Sequence, residues 1–182
     1  MIKFDTEGKT IVYTYGVYDL MHPGHIKFFQ KCKALGDILI VGIVSDKEVR
    51  TVKDPKKPIM PEEWRTELVE NVKCVDYVLQ QPTYNPSDIL ESLAKRGIKV
   101  DILTKGDDMY QIKGIDTIEK LGGRFIAPAY TDGYSTSSLI KKIIKRYKWK
   151  RWNNMPDKDG KGPRTRSPKP STKKGGKQEE SC

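Results

Sequence analysis

Cysteine and histidine are scarce in this chain, and their placement excludes several kinds of protein. The three cysteines, Cys32, Cys74 and Cys182, are odd in number and scattered. No two have the spacing of a metal site, which fits a reducing compartment. Cys32 and Cys74 fall on apolar faces of expected helices or at their ends, where a free thiol acts as a small hydrophobe. Long apolar runs are missing too: none approaches the roughly 20 residues needed to span a bilayer. Residues 1–8 are short and polar, so no secretory signal is expected and the expected location is cytoplasmic. No Gly-x-x-x-x-Gly-Lys is present, and no Gly-x-Gly-x-x-Gly follows the first apolar run. Kinase and dehydrogenase readings therefore lose their usual support. A Ser–His–Asp hydrolase lacks a nucleophile elbow. The chain has two histidines, His22 and His25, and they stand three positions apart.

What is present is charge and a regular alternation of patterns. The chain carries +10 at pH 7, with 34 Lys and Arg against 24 Asp and Glu. Residues 150–182 hold ten of those cations and four of the acids, hence +6 of the total, and are nearly devoid of apolar side chains after Met155. Such a composition buries too little surface to offset its ordering entropy. Residues 151–182 are therefore expected to be a disordered basic tail beside one catalytic domain over residues 1–150. The tail suits an anionic partner or simple solubilisation. It lacks interleaved aromatics for stacking on single strands.

Within residues 1–150, strand and helix signals alternate. Strands are expected at residues 11–15, 38–44, 75–79, 100–104 and 124–127. Helices are expected at 24–35, 61–72, 86–96, 115–121 and 138–147. The run Ile38-Leu39-Ile40-Val41-Gly42-Ile43-Val44 is continuously apolar, as in a strand covered on both faces of a parallel sheet. Residues 45–59 read as a polar loop with one turn of helix after Asp46. Trp64, Leu68 and Val72 give the following helix an apolar spacing. Five strands alternating with helices specify an α/β fold, a doubly wound five-stranded parallel sheet of Rossmann-like form. Its ligands bind beyond the carboxyl ends of the strands, where the unusual loops after the first, fourth and fifth strands all project.

Those loops carry the chemistry. His22-Pro23-Gly24-His25 opens a helix, whose N-terminus attracts anions; Gly24 lets a ligand approach the backbone, and imidazole N–H groups donate to phosphate oxygens. A metal pair is the alternative, but His-x-x-His here has no third ligand. Ser135, Thr136 and Ser137 stand at the start of the last helix, where one of them caps it and the others face a ligand. Lys53, Lys56 and Lys57 lie in the long loop after the second strand, suited to close over a polyphosphate or simply solvated. Arg65 follows close behind.

The stretch Tyr15-Gly16-x-Tyr18-Asp19-Leu20 with His22-Pro23-Gly24-His25 resembles the signature of the HxGH nucleotidyltransferase superfamily. Gly36-Asp37, Ser45-Asp46, Arg65, Gly106-Asp107-Asp108 and Asp132-Gly133-x-Ser135-Thr136 follow in that superfamily's order, over most of residues 10–147. Within it the chain looks most like the cytidylyltransferases of glycerol 3-phosphate, phosphocholine or phosphonates. Two stretches depart. Tyr130-Thr131-Asp132-Gly133-Tyr134-Ser135-Thr136 stands where the first two of those types read Arg-Thr-Glu-Gly-Ile-Ser-Thr. Lys53-Asp54-x-x-Lys57-Pro58-Ile59-x-Pro61-x-x-x-Arg65 resembles instead the adenylyltransferases of heptose 1-phosphate or FMN.

The resemblance implies transfer of CMP from CTP to a small phosphorylated or phosphonate acceptor, with pyrophosphate leaving; ATP-dependent adenylyl transfer is the alternative. A non-catalytic nucleotide- or nucleic-acid-binding protein is a further one. It implies Mg²⁺ brought with the nucleotide, no metal held by protein side chains alone, and a homodimer. His22 and His25 would stabilise the transition state. Lys53 would act with them, and Lys56 or Lys57 would hold a phosphate of the nucleotide or bind the acceptor. Tyr15, Gly16, Tyr18, Asp19, Gly24, Arg65, Gly106, Asp107, Tyr134, Ser135 and Thr136 would surround the nucleotide, with Ser135 and Thr136 at its outer phosphates. Asp108 would lie near the acceptor. For Asp19, a structural hydrogen bond to backbone is the competing role.

Overall fold

In the computed structural model, residues 6–106, 112–129 and 133–147 are described. The elements run β1 (Ile11–Gly16), α1 (Pro23–Lys33), β2 (Ile38–Val44), α2 (Asp46–Val52), α3 (Glu62–Glu70), β3 (Tyr77–Gln81), α4 (Ser87–Lys95), β4 (Ile102–Thr104), α5 (Ile115–Lys120), β5 (Arg124–Ile126) and α6 (Thr136–Tyr147). The chain divides into a compact unit up to Lys141 and a second from Lys142 onward; of the second, only the end of α6 is described. The expected tail, residues 151–182, lies outside the described residues.

The five strands form one parallel sheet in the order β3-β2-β1-β4-β5. Every residue of β1 and β2 is buried, which is why β2 reads as an apolar run and β1 as one broken only by Thr14, whose hydroxyl donates to the Thr104 carbonyl. Successive side chains point to opposite faces. Ile11, Tyr13 and Tyr15 join Val49 of α2, Leu90 and Leu93 of α4 and Ile118 of α5 in one core. Val12 joins Phe29 and Cys32 of α1 and Val69 of α3 in the other. The sheet is thus covered on both sides, as a doubly wound fold requires.

The chain leaves β1 through α1 toward β2 and β3, and later returns to add β4 and β5 on β1's other flank. That reversal opens a crevice at the carboxyl ends of β1 and β4. Carboxylates seal the opposite edge: Asp37 accepts the Thr10 N–H, Asp101 the Ile11 N–H and Asp76 the Leu39 N–H.

Three expectations fail. Residues 46–52 form a helix of seven residues, longer than one turn, capped by the Ser45 hydroxyl accepting the Glu48 N–H. Its single buried side chain, Val49, gives too little periodicity to detect in sequence. The third strand begins at Tyr77 rather than residue 75, because Val75 donates its N–H back to Val72 in a turn. In α3, Trp64 is 60% and Leu68 41% exposed, while Arg65 and Val69 face inward.

Candidate active site

Gly16 ends β1, and the chain then turns sharply. Tyr18 and Leu20 adopt left-handed backbone angles (φ 54° and 46°), a costly conformation for residues with side chains and a frequent mark of functional loops. The Tyr18 ring folds back over Gly16, where an added Cβ would stand 2.8 Å from the ring. The same ring packs on Phe29 and meets His25 edge-on at 5.5 Å. Asp19, between the two strained residues, accepts the N–H groups of Ile59 and Met60, each at 2.9 Å. Its carbonyl accepts the Thr136 hydroxyl at 2.9 Å. Asp19 therefore ties the β1 loop to the segment before α3 and to the start of α6, the structural role weighed above.

His22 is the N-cap of α1 but makes no side-chain cap, and Pro23 occupies the first turn. The imidazole is thus left to the crevice. His22 and His25 stack face to face, with centroids 3.9 Å apart and planes 14° apart. Among the described residues, neither Nδ1 has a hydrogen-bond partner although both are buried. Burial, then the neighbouring His22, lowers the His25 pKa to about 4 against an opposing pull from Asp19; burial also lowers His22. Two stacked imidazoles cannot both charge cheaply without an anion beside them.

A cavity of about 370 Å³ opens over this pair. Tyr15, Gly16, Tyr18, Asp19, His22, Gly24 and His25 form its floor. Lys53 and Lys57 stand on the β2–β3 flank; Lys105 and Gly106 follow β4, and Tyr134, Ser135 and Thr136 close the far side. Most of the expected site residues are thus brought together. Their hydroxyls are partly engaged: Ser135 caps α6 by accepting the Ser138 N–H, Thr136 donates to Asp19, and Tyr15 donates to the Lys113 carbonyl. Burial pushes the Tyr15 phenol up to about 12, so it stays neutral.

Lys56 is exposed and does not line the cavity. Asp107 and Asp108 lie outside the described residues. Arg65 is the clear correction. It is 0% exposed and gives its guanidinium to the carbonyls of Met60, Val17 and Val44 and to Asp46 at 2.6 Å. Instead of reaching a phosphate, it pins the loop after β1 and the start of α2 to α3. Two residues escaped the sequence reading. Lys105, 8% exposed, places its ammonium 2.5 Å from the Tyr15 carbonyl and 4.1 Å above the Tyr15 ring. Tyr84 lines the cavity beside Lys53. The available signals were a cation directly after a buried strand, and an aromatic residue three positions past the end of another strand.

This crevice at the reversal of a parallel sheet, with a His pair at a helix start, is the arrangement of a nucleotidyltransferase. The chain belongs to the cytidylyltransferase-like family, which it matches over residues 13–142. It is 37% identical over 142 residues to the bifunctional protein HldE of Syntrophotalea carbinolica, covering 77% of this chain and 28% of that protein. To the HldE of Helicobacter acinonychis it is 40% identical over 141 residues, covering 75% and 28%. The chain thus spans little more than a quarter of the curated relatives it matches. Among solved structures, the crystal structure of the lipopolysaccharide core biosynthesis protein from Thermoplasma volcanium GSS1 superposes with a TM-score of 0.54 at 29% identity, covering 70% of this chain and all of that one.

Proposed function

We propose that this chain catalyses nucleotidyl transfer from ATP to a sugar 1-phosphate, releasing pyrophosphate. The observation that carries the reading is the stacked His22–His25 pair at the start of α1, facing a cavity with lysines on one wall and the Ser135–Thr136 helix start on the other. An acceptor phosphate oxygen attacks the α-phosphorus. The bond from that phosphorus to the bridging oxygen breaks, and its electrons leave with pyrophosphate. No covalent enzyme intermediate is required, so the protein's task is positioning and charge stabilisation. His22 and His25 donate N–H groups to oxygens that gain charge, and gain basicity themselves as that charge arrives. Lys53, Lys57 and Lys105 offset the charge of the phosphates, and the N-terminus of α6 adds its backbone N–H groups.

Magnesium would enter with the triphosphate and supply further charge neutralisation. Asp19 is the carboxylate on the cavity floor, and its two oxygens already accept backbone N–H groups. Among the described residues, no group of three His, Cys, Asp or Glu is placed to hold an ion.

ATP is favoured over CTP by the resemblance of the Lys53–Arg65 stretch to heptose 1-phosphate adenylyltransferases. The similarity to HldE proteins and to a protein of lipopolysaccharide core biosynthesis points the same way. The Asp132-Gly133-x-Ser135-Thr136 stretch and the family's own designation favour CTP as the second reading. The test is pyrophosphate release by the full chain with each nucleoside triphosphate, over heptose 1-phosphate, glycerol 3-phosphate and phosphocholine. Release with ATP and the sugar phosphate is expected. Release with CTP alone overturns the base, and nucleotide binding without release under every condition overturns the enzyme.

A further inference from the structure

Tyr84 follows β3 and sits on the cavity wall beside Val49, Lys53 and Lys57, across β1 from the Tyr134 side. It is 7% exposed, and its hydroxyl has no hydrogen-bond partner among the described residues. Buried hydroxyls are nearly always paired, so an orphan beside a cavity points to a ligand group that the protein alone does not supply. Its position is built rather than accidental. The Glu48 carboxylate accepts the Tyr84 N–H at 3.0 Å, which clamps the loop to α2. The ring packs into the core with Tyr15 and Val49, and the Lys53 ammonium lies 5.3 Å from its centroid.

The chemistry of that wall separates two tasks. Lys53 and Lys57 are the groups for a phosphate. A phenol beside valine and proline side chains is a poor anchor for a dianion but a good partner for a hydroxyl, because it both donates and accepts. Burial, helped by the nearby Glu48 charge, pushes the Tyr84 phenol up to about 12, so it keeps its proton across the working range. The hydroxyl is covered as well as unpartnered, so an acceptor reaches it by displacing its cover.

We propose that Tyr84 is a specificity-determining residue that hydrogen-bonds a hydroxyl on the carbon skeleton of the acceptor, selecting a polyhydroxylated acceptor over one bearing a phosphate alone. The inference rests on the nucleotidyltransferase reading above. Its test compares wild type with Tyr84→Phe in the full chain, using heptose 1-phosphate and phosphocholine as acceptors; the organic part of phosphocholine has no hydroxyl. The variant is expected to raise KM for the sugar phosphate about tenfold, with kcat falling less than twofold and KM for the triphosphate unchanged. With phosphocholine, variant and wild type should differ by less than twofold in kcat/KM. The thermal midpoint of the unliganded variant should equal or exceed that of wild type, since no protein partner is lost. An unchanged KM for the sugar phosphate, or an equal loss with both acceptors, overturns the inference while wild-type turnover leaves the parent reading standing. A lowered midpoint overturns it too, because the hydroxyl would then be paired within the protein. Absence of wild-type turnover with every triphosphate defeats the parent reading, and this one with it.

Discussion

A Cβ on Gly24 would stand 2.8 Å from the Cβ of Tyr134 and 3.0 Å from the His22 ring. The first turn of α1 and the approach to α6 thus touch through a residue with no side chain. Gly24→Ala should improve helix propensity slightly yet push Tyr134 and His22 off their positions. Turnover is expected to fall about a hundredfold, with a urea midpoint below wild type, since a clash with the Tyr134 Cβ is not relieved by swinging a side chain. A variant that keeps full turnover removes this contact from the working site.

Replacing His22 or His25 by Ala should each cut the rate of pyrophosphate release by about 10²–10³, the usual effect of losing one donor aimed at developing charge. Single-turnover rates at saturating ATP are the measurement. An undiminished rate in either variant withdraws that histidine from the transition state.

Arg65→Met separates architecture from phosphate binding. The guanidinium satisfies three carbonyls and the Asp46 carboxylate, all around a fully buried side chain. Losing it leaves three carbonyls without their donor and Asp46 with only the exposed Arg50 as partner, and should cost about 3–5 kcal/mol in urea denaturation. Arg65→Lys should recover little, since one ammonium cannot reach four oxygens. A phosphate ligand would behave otherwise, with a normal midpoint and a raised KM for ATP.

The imidazole pair also predicts how stability depends on pH. His25 binds its proton less readily in the folded protein, with a pKa of about 4, than in the unfolded chain. Between pH 4 and about 6.5 the unfolded state therefore holds more protons, so stability falls as pH is lowered through that window. For this half-buried group the effect is on the order of 2 kcal/mol. His25→Gln should flatten that portion of the pH profile of the denaturation midpoint. A profile identical to wild type would mean that His25 charges freely in the fold.

The parts of the fold legible in the sequence were those in which burial dictates composition. β1 and β2 lie between covered faces and read as largely apolar runs. The Pro23-Gly24 turn between the two histidines needed no neighbours to stand out. Arg65 was misread because a charged residue within the spacing of Trp64 and Leu68 looks solvent-facing. It is inside because four oxygens from three separate segments converge on it, which no local pattern encodes. Lys105 and Tyr84 were hidden for a similar reason: what marks them is a cavity wall assembled from the ends of different strands.

The hydrogen bond from Thr136 to Asp19 joins positions 117 apart. Contacts of such separation are made late, after most of the loop-closure entropy has been paid. A chain still being synthesised, with its first helix emerged but α6 not yet made, would have the two histidines without the far wall of their cavity. On the function proposed above, a nucleotide would therefore have little to bind until synthesis has passed the start of α6, and would be a ligand of the finished domain rather than a template for its folding.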